Sequence, residues 1–418
     1  MPTVGVIGGG VAGLAAAYQL QHEGASVHVF EASDRGGGVI RSDRVDGFLV
    51  EHGPNSIRAG SAALETIVED LDLEGKRIWA SDTADTRYVV RGGNPTPLPR
   101  SMGSFLTTDL FSTRAKLRLL AEPFIGRAGV DEESVAQFTR RRLGPEVLDY
   151  AVAPFVGGVF AGTPDKLSVR HAFARLAALE DEYGSLFLGG LGRALASSDG
   201  EAREVPSGLF SFRNGLETLP EALAEALGDR LSLNAPVQAL HRDGDQWRIT
   251  VKPTDEQEHS RTFDALVCTV PLHQLSAMEV DTPVDLEPLA NVWYPPLSVL
   301  ALGYPREAID HPLDGFGLLV PPVEDDLDIL GTIFSSTLFP DRAPEGHVLL
   351  TTFVGGARAP TQATPDPSAL QSLVETDLHQ LLGVEGAPVF RRHVYWSNAI
   401  PQYTLGYGAV KDTLERLE

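Results

Sequence analysis

The sequence contains one cysteine, Cys268, in 418 residues, so no disulfide can form within the chain. Its setting, Phe-Asp-Ala-Leu-Val-Cys, reads as a core strand rather than a nucleophile. No cluster of Cys and His has the spacing of a structural zinc site, and no metal is expected. Long apolar runs are also absent: nothing reaches the 18 residues of a membrane span. Residues 4–20 are apolar, but they lack the basic n-region of a signal peptide, so a cytoplasmic protein is the expectation. Lysine is scarce, with five in all (Lys76, Lys116, Lys166, Lys252 and Lys411), and the net charge is −23. That deficit of positive charge excludes a nucleic-acid binder and a polybasic membrane anchor. The exception is residues 87–142, where ten basic residues face five acidic ones; an anionic substrate would be met there.

What is present first is a glycine pattern. Residues 3–7 read as a buried strand, 8–13 as a glycine turn, 11–21 as a helix and 26–30 as a second strand ending at Glu31. In this βαβ arrangement Gly8 permits the tight turn, Gly10 lets backbone approach a pyrophosphate, and Gly13 lets the helix pack closely on the strands. The free N–H groups of the helix start receive the diphosphate charge. Glu31, eighteen residues past Gly13, is placed to accept hydrogen bonds from a ribose. A glycine turn with no ligand is the alternative, but strand, helix, second strand and terminal acid all fall where a dinucleotide needs them. The following stretch Asp34-Arg35-Gly36-Gly37-Gly38-Val39-Ile40-Arg41, with two arginines and a glycine triplet, adds backbone and positive charge around the same diphosphate, which favours FAD over an exchangeable nicotinamide.

At 43% apolar and 22% charged residues, the composition is that of a globular chain of two or three domains. Residues 47–51 read as a strand entering a loop, 61–71 as an amphipathic helix and 87–90 as a strand. Residues 92–99, rich in Gly and Pro, read as a rigid connection. From 101 to about 195 the pattern is helical, with a basic amphipathic stretch at 105–120 suited to a membrane interface, a substrate entrance or a solvated face. Residues 157–162, Gly157-Gly158-Val159-Phe160-Ala161-Gly162, are expected to break these helices with a glycine-rich turn. Strands at 209–212, 231–233, 237–241, 247–251 and 263–270, with a helix at 216–227, look like a return to the nucleotide domain. Strands at 297–304, 316–320, 329–335, 348–354 and 389–396 suggest an antiparallel sheet, with a helix at 368–382.

The blocks GGGVAGL, EASDRGGGVIRS, EHGPNSIR, GGVFAGTPDKLSVRHAF, FRNGLETLP, LDGFGLLVP and AIPQYTLG resemble the porphyrinogen oxidases of the flavin monoamine oxidase superfamily, enzymes that aromatise protoporphyrinogen IX or coproporphyrinogen III. The resemblance implies an α/β fold with α+β insertions. A Rossmann-like FAD-binding domain would comprise 1–84 and 205–285, a mixed-sheet substrate domain 85–100 and 286–400, and a helical, membrane-associating subdomain 101–204. It implies FAD contacts at Gly8, Gly9, Gly10, Val11, Ala12, Gly13, Glu31, Ala32, Arg35, Gly38, Gly53, Pro54, Asn55 and Ser56, with Val237 at the adenine. It places Arg87 at a substrate propionate, the Gly158 carbonyl toward the macrocycle, and Phe316, Leu319 and Phe353 around the rings.

No general base is nominated, because an electron-rich methylene bridge can give hydride to a flavin held near it; His171 and His52 are read as structural. The implied reaction belongs to heme biosynthesis and uses dioxygen, releasing hydrogen peroxide. The implied partners are the porphyrinogen, a ferrochelatase receiving the product, a second copy in a homodimer and a membrane surface touched peripherally from the cytoplasm. The family's glycine-histidine after PQY is Gly406-Tyr407 here. The family continues with a strand and a helix past the position of Glu418, so the FAD domain is expected to lack its C-terminal part. The competing readings are a related amine oxidase or carotenoid desaturase, or a silent porphyrin- or nucleotide-binding protein.

Overall fold

The structure, a computed structural model, describes residues 1–127, 129–130, 132–189, 206–253 and 257–418. The part of the expected helical region beyond residue 189 lies outside the described residues.

A parallel sheet carries the glycine turn. Its strands run Leu231–Ser232, Ser26–Phe30, Thr3–Ile7 and Ala265–Cys268 in spatial order. Helices Val11–His22 and Thr218–Leu227 cover one face, burying Leu14, Leu219 and Leu223 against Val4, Val6 and Val29. The strands are short and Val-rich because both faces are covered. A second sheet, His259–Phe263, Gln246–Val251, Val237–Asp243 and Glu279–Val280, packs Ile249, Val251 and Phe263 against Ile7 and Phe30 from the other side. The single strand expected at 263–270 is therefore two strands in two sheets. They part at Asp264, whose carboxylate accepts the Thr3 N–H at 2.7 Å and the Thr3 hydroxyl at 2.8 Å. Cys268 ends the edge strand and is exposed, so the core reading of it is corrected.

The largest sheet has seven strands, ordered Phe390–Trp396, Leu297–Pro305, His347–Gly355, Ile329–Phe334, Gly315–Leu319, Thr86–Arg91 and Asn94–Pro97. It is mixed rather than wholly antiparallel, because Gly315–Leu319 pairs in parallel with Thr86–Arg91. The expected rigid connection at 92–99 is instead a hairpin: Gly92 and Gly93 take positive φ, and Pro95 and Pro97 sit on the edge strand, where a missing N–H is tolerated. Helix Pro367–Leu382, capped by Asp366 and ended by Gly383 in the left-handed region, lays Leu370, Val374, Leu378 and Leu381 on one face of this sheet.

The opposite face meets helices from the 101–189 region. Within the turn expected at 157–162, helix Ala153–Phe160 runs straight through Gly157 and Gly158, and the reversal comes at Ala161, with φ of 47°. The missing side chain at Gly158 serves packing: a Cβ there would lie 2.5 Å from Leu319 Cδ2. Nearby, Arg142 is wholly enclosed and paired with Glu122 and Glu180, and Arg141 with Glu133 and Glu180, while Arg140 stays at the surface with Asp165. Arg141 and Arg142 thus tie helix Val135–Arg142 to helix Ala174–Tyr183.

Candidate functional site: a dinucleotide cradle beside a sheet face

The glycine turn is built as the spacing predicts. Gly8 has a φ of 102°, and a Cβ on Gly13 would fall onto the Gly8 carbonyl, so helix and strand pack at glycine distance. A Cβ on Gly10, by contrast, would meet nothing within 4 Å. The open space there lies at the helix start, whose first turn, beginning Val11-Ala12-Gly13, holds no acidic residue. Unshielded backbone donors beside unfilled space fit a pyrophosphate.

Glu31 turns back toward this site. Its Oε2 accepts the Gly9 N–H at 2.6 Å, and its Oε1 accepts the Ser33 N–H at 2.9 Å and the Ser33 hydroxyl at 2.7 Å. A carboxylate has about four acceptor positions, so one is left for a ribose hydroxyl. Ala32 is exposed beside it. Val237 begins the strand flanking this tip, tied to it by the Ala235 N–H donating to the Glu31 carbonyl at 2.8 Å.

The loop that follows is drawn onto the turn: the Gly37 N–H donates to the Gly9 carbonyl at 2.8 Å, and a Cβ on Gly38 would lie 3.1 Å from Gly10 Cα. Arg35 corrects an expectation. Its guanidinium donates to the carbonyls of Gly36, Gly38 and Ile40 and pairs with Glu217 at 3.0 Å, so it shapes the loop and is not a free cation for the diphosphate.

Gly53, Pro54, Asn55 and Ser56 form the next part of the cradle. The His52 N–H donates to the Arg41 carbonyl at 2.9 Å, the Trp396 indole donates to the His52 carbonyl at 2.9 Å, and Asn55 Nδ2 reaches back to the Gly53 carbonyl at 2.9 Å. His52 itself is buried and donates to Asp43, which Arg392 also holds. Burial lowers its pKa although Asp43 opposes this, which fits the structural role expected of it. His171 lies against Tyr407 and Glu132, likewise within packing. Sequence reading missed Glu217, Trp396, Asp43 and Arg392. Only Glu217, inside the FRNGLETLP block, carried any signal.

The substrate candidates gather on one sheet face. Leu319 pairs with Gly331, which pairs with Phe353, so the two side chains flank a glycine gap in one cross-strand row. Gly158 closes over Leu319 from the helical side. One residue pair along, Arg87 is exposed, with its guanidinium 5.4 Å from the Phe316 ring centroid and, among the described residues, no carboxylate partner. Two other arginines of the basic segment are engaged: Arg91 with Glu146, the Leu110 carbonyl and the Tyr150 ring, and Arg100 with Asp85 at 2.9 Å. The substrate face and the cradle adjoin, since Asn55, Ile333 and Thr351 line one small cavity between them.

A βαβ glycine cradle set against a separate apolar sheet face with a cation at its edge defines a flavoprotein oxidoreductase. The profile of the flavin containing amine oxidoreductases matches residues 11–417, and the chain belongs to that family, with FAD as its cofactor. It is 38% identical to the mitochondrial protoporphyrinogen oxidase of Nicotiana tabacum, over 99% of this chain and 88% of that one. It is 36% identical to protoporphyrinogen oxidase 2 of Arabidopsis thaliana, over 99% and 87%. Identity to coproporphyrinogen III oxidase of Bacillus subtilis is 27%, over 96% and 87%. A crystal structure from Exiguobacterium sp. 255-15 superposes with a TM-score of 0.80 at 22% identity, covering 100% of this chain and 91% of that one, which speaks to the fold. These likenesses place the chain among the porphyrinogen oxidases.

Proposed function

We propose that this chain is an FAD-dependent porphyrinogen oxidase of heme biosynthesis acting on protoporphyrinogen IX, with dioxygen as acceptor and hydrogen peroxide as product. The observation that carries the reading is Arg87, an exposed guanidinium without a carboxylate partner at the rim of the apolar row formed by Phe316, Leu319 and Phe353. A flat apolar macrocycle with its carboxylates on one edge matches that layout. With Arg91 and Arg100 engaged elsewhere, a substrate with two propionates suits the rim better than one with four. The identities to the tobacco and Bacillus relatives lean the same way.

FAD supplies the two-electron acceptor. The chain's own work is to hold the ring in register against it and keep water away, Leu319 and Phe353 by contact and Arg87 by orienting the propionate edge.

The test is anaerobic bleaching of the flavin band by protoporphyrinogen IX and by coproporphyrinogen III. Faster bleaching by the former is expected, and R87A should raise KM by about tenfold, an ion pair's share of binding, with little change in kcat. Faster bleaching by coproporphyrinogen III overturns the substrate choice. Bleaching by amines alone overturns the class.

Leu106, Leu117, Leu120 and Phe124 are exposed on neighbouring helices and turns of the helical region, which supports peripheral contact with a cytoplasmic membrane face. No helix among the described residues is long and apolar enough to cross a membrane. Flotation with liposomes, lost in L117D/F124D, checks this contact.

A further inference from the structure

Arg342 lies far from the glycine motif in sequence and is 2% exposed. Its Nη2 meets Glu51 Oε1 at 3.2 Å and donates to Ser211 Oγ at 2.5 Å; its carbonyl accepts the Leu49 N–H at 3.0 Å. Among the described residues Nη1 has no hydrogen-bond partner. A buried guanidinium end left without an acceptor is costly, so the surroundings of Nη1 must provide one. Arg342 lines a cavity with room for about one water, walled also by Glu51, Asn55, Ser335 and Thr351 among apolar neighbours. Ser335 and Thr351 already share a 2.7 Å hydrogen bond, and Asn55 belongs to the cofactor loop.

Glu51 continues the connection. Its Oε1 also accepts the Leu216 N–H at 3.0 Å and its Oε2 accepts the Ser42 hydroxyl at 2.5 Å. The Ser42 N–H donates to Glu217 at 2.9 Å, and Glu217 holds Arg35, which grips the loop lying on the glycine turn. A polar path therefore runs from Arg342 through Glu51, Ser42 and Glu217 to Arg35 and the cradle. Glu51 is followed directly by His52 and the 53–56 loop, so its position sets where that loop begins.

We propose that Arg342 is a positioning residue for the cofactor: through Glu51 at one nitrogen and a single bound water at the other, it fixes the 53–56 loop against the substrate sheet. The proposal rests on the FAD cofactor and not on the choice of porphyrinogen. It predicts that loss of the fork loosens FAD binding even where the fold is intact.

The experiment titrates FAD into the deflavinated full chain, following flavin fluorescence, and records thermal unfolding of the same apoproteins. R342M strands Glu51 and should lower the apoprotein Tm and weaken FAD at least tenfold. E51Q/R342M removes both charges while the Gln oxygen still accepts from Leu216 and its NH2 donates to the Ser42 hydroxyl oxygen. Its apoprotein Tm should return toward wild type while FAD stays at least tenfold weaker, a split that a purely structural pair would not show. If neither Met variant folds, R342K carries the test: it keeps the charge, loses the fork and should bind FAD at least threefold more weakly. FAD affinity within twofold of wild type in any of these folded variants overturns the proposal. A crystal structure of the holoprotein with a water in hydrogen-bond reach of Nη1 is expected, and a dry cavity there overturns the bridge. Failure of any porphyrinogen to bleach the flavin would sink the substrate reading alone, because this titration contains no substrate.

Discussion

Among the described residues two arginines are sealed from solvent, Arg142 in the helical region and Arg342 between cradle and sheet, and they differ in how fully their nitrogens are used. Arg142 donates Nε to Glu180 at 2.7 Å, Nη1 to Glu122 at 3.2 Å and to the Ile125 carbonyl at 2.9 Å, and Nη2 to Glu180 again. Glu122 in turn accepts the Ser185 hydroxyl at 2.6 Å and the Leu186 N–H at 3.0 Å. That cluster closes upon itself and joins helices. The Arg342 cluster does not close: one nitrogen has no partner among the described residues, and Arg342 lines a cavity together with Asn55 of the 53–56 loop. A saturated buried ion belongs to folding, whereas an unsaturated one directs attention to what sits beside it.

The largest test of that contrast is R142M. Removing one partner from a buried network costs about 3–5 kcal/mol, here by stranding Glu122 and Glu180. Urea unfolding should show that loss, while folded R142M binds FAD as the wild type does. A parallel fall in FAD affinity would erase the distinction drawn between the clusters.

A finer cut uses one serine from each cluster. Ser185 and Ser211 are both fully buried, and each hydroxyl serves a charged partner, Glu122 in one case and Arg342 in the other. S185A and S211A should each cost about 1.5–3 kcal/mol, the range for hydrogen bonds to charged groups. Only S211A should also weaken FAD, by several-fold in the same titration. Equal behaviour of the two variants toward FAD would mean that saturation is no guide to function.

The two clusters also show why the sequence was legible in one place and opaque in another. The cradle could be read residue by residue because Gly8, Gly10, Gly13 and Glu31 act within one βαβ unit, where spacing dictates geometry. Arg342 and Glu51 meet across 291 positions, and no periodicity announces such a pair. Locally plausible readings failed where a distant partner decided the outcome. Gly157-Gly158 looked like a helix breaker, yet the helix persists and Gly158 admits Leu319. The 263–270 run looked like one strand, yet Asp264 divides it by binding Thr3, 261 residues away. Arg35 looked like a diphosphate ligand until Glu217 supplied its counter-charge. On the sheet face, Phe316, Leu319 and Phe353 would each pass for core, and only strand register shows Leu319 and Phe353 flanking one gap.

The smallest effect, and the one that separates the clusters by sign, is their response to acid. Burial would raise the Glu180 carboxyl, but Arg141 and Arg142 hold it below its ordinary value. Its stabilisation is therefore complete above the unfolded carboxylate value of about 4.3 and is lost as pH falls through the lower folded value. At Glu51 burial wins over Arg342 and Ser42, and the carboxyl is raised. Ionising Glu51 thus costs stability at neutral pH, and the cost shrinks as pH falls through its folded value toward about 4.3. Against wild type, the Tm difference of E180Q should stay level from pH 7 to about 4.5 and narrow below it, where wild type loses the same support. The E51Q difference should instead drift across the window above about 4.5, with wild type gaining on the variant as pH falls. Drifts of the same sign in the same window would show that Glu51 is held ionised as firmly as Glu180, and the open cluster would then be electrostatically as complete as the closed one.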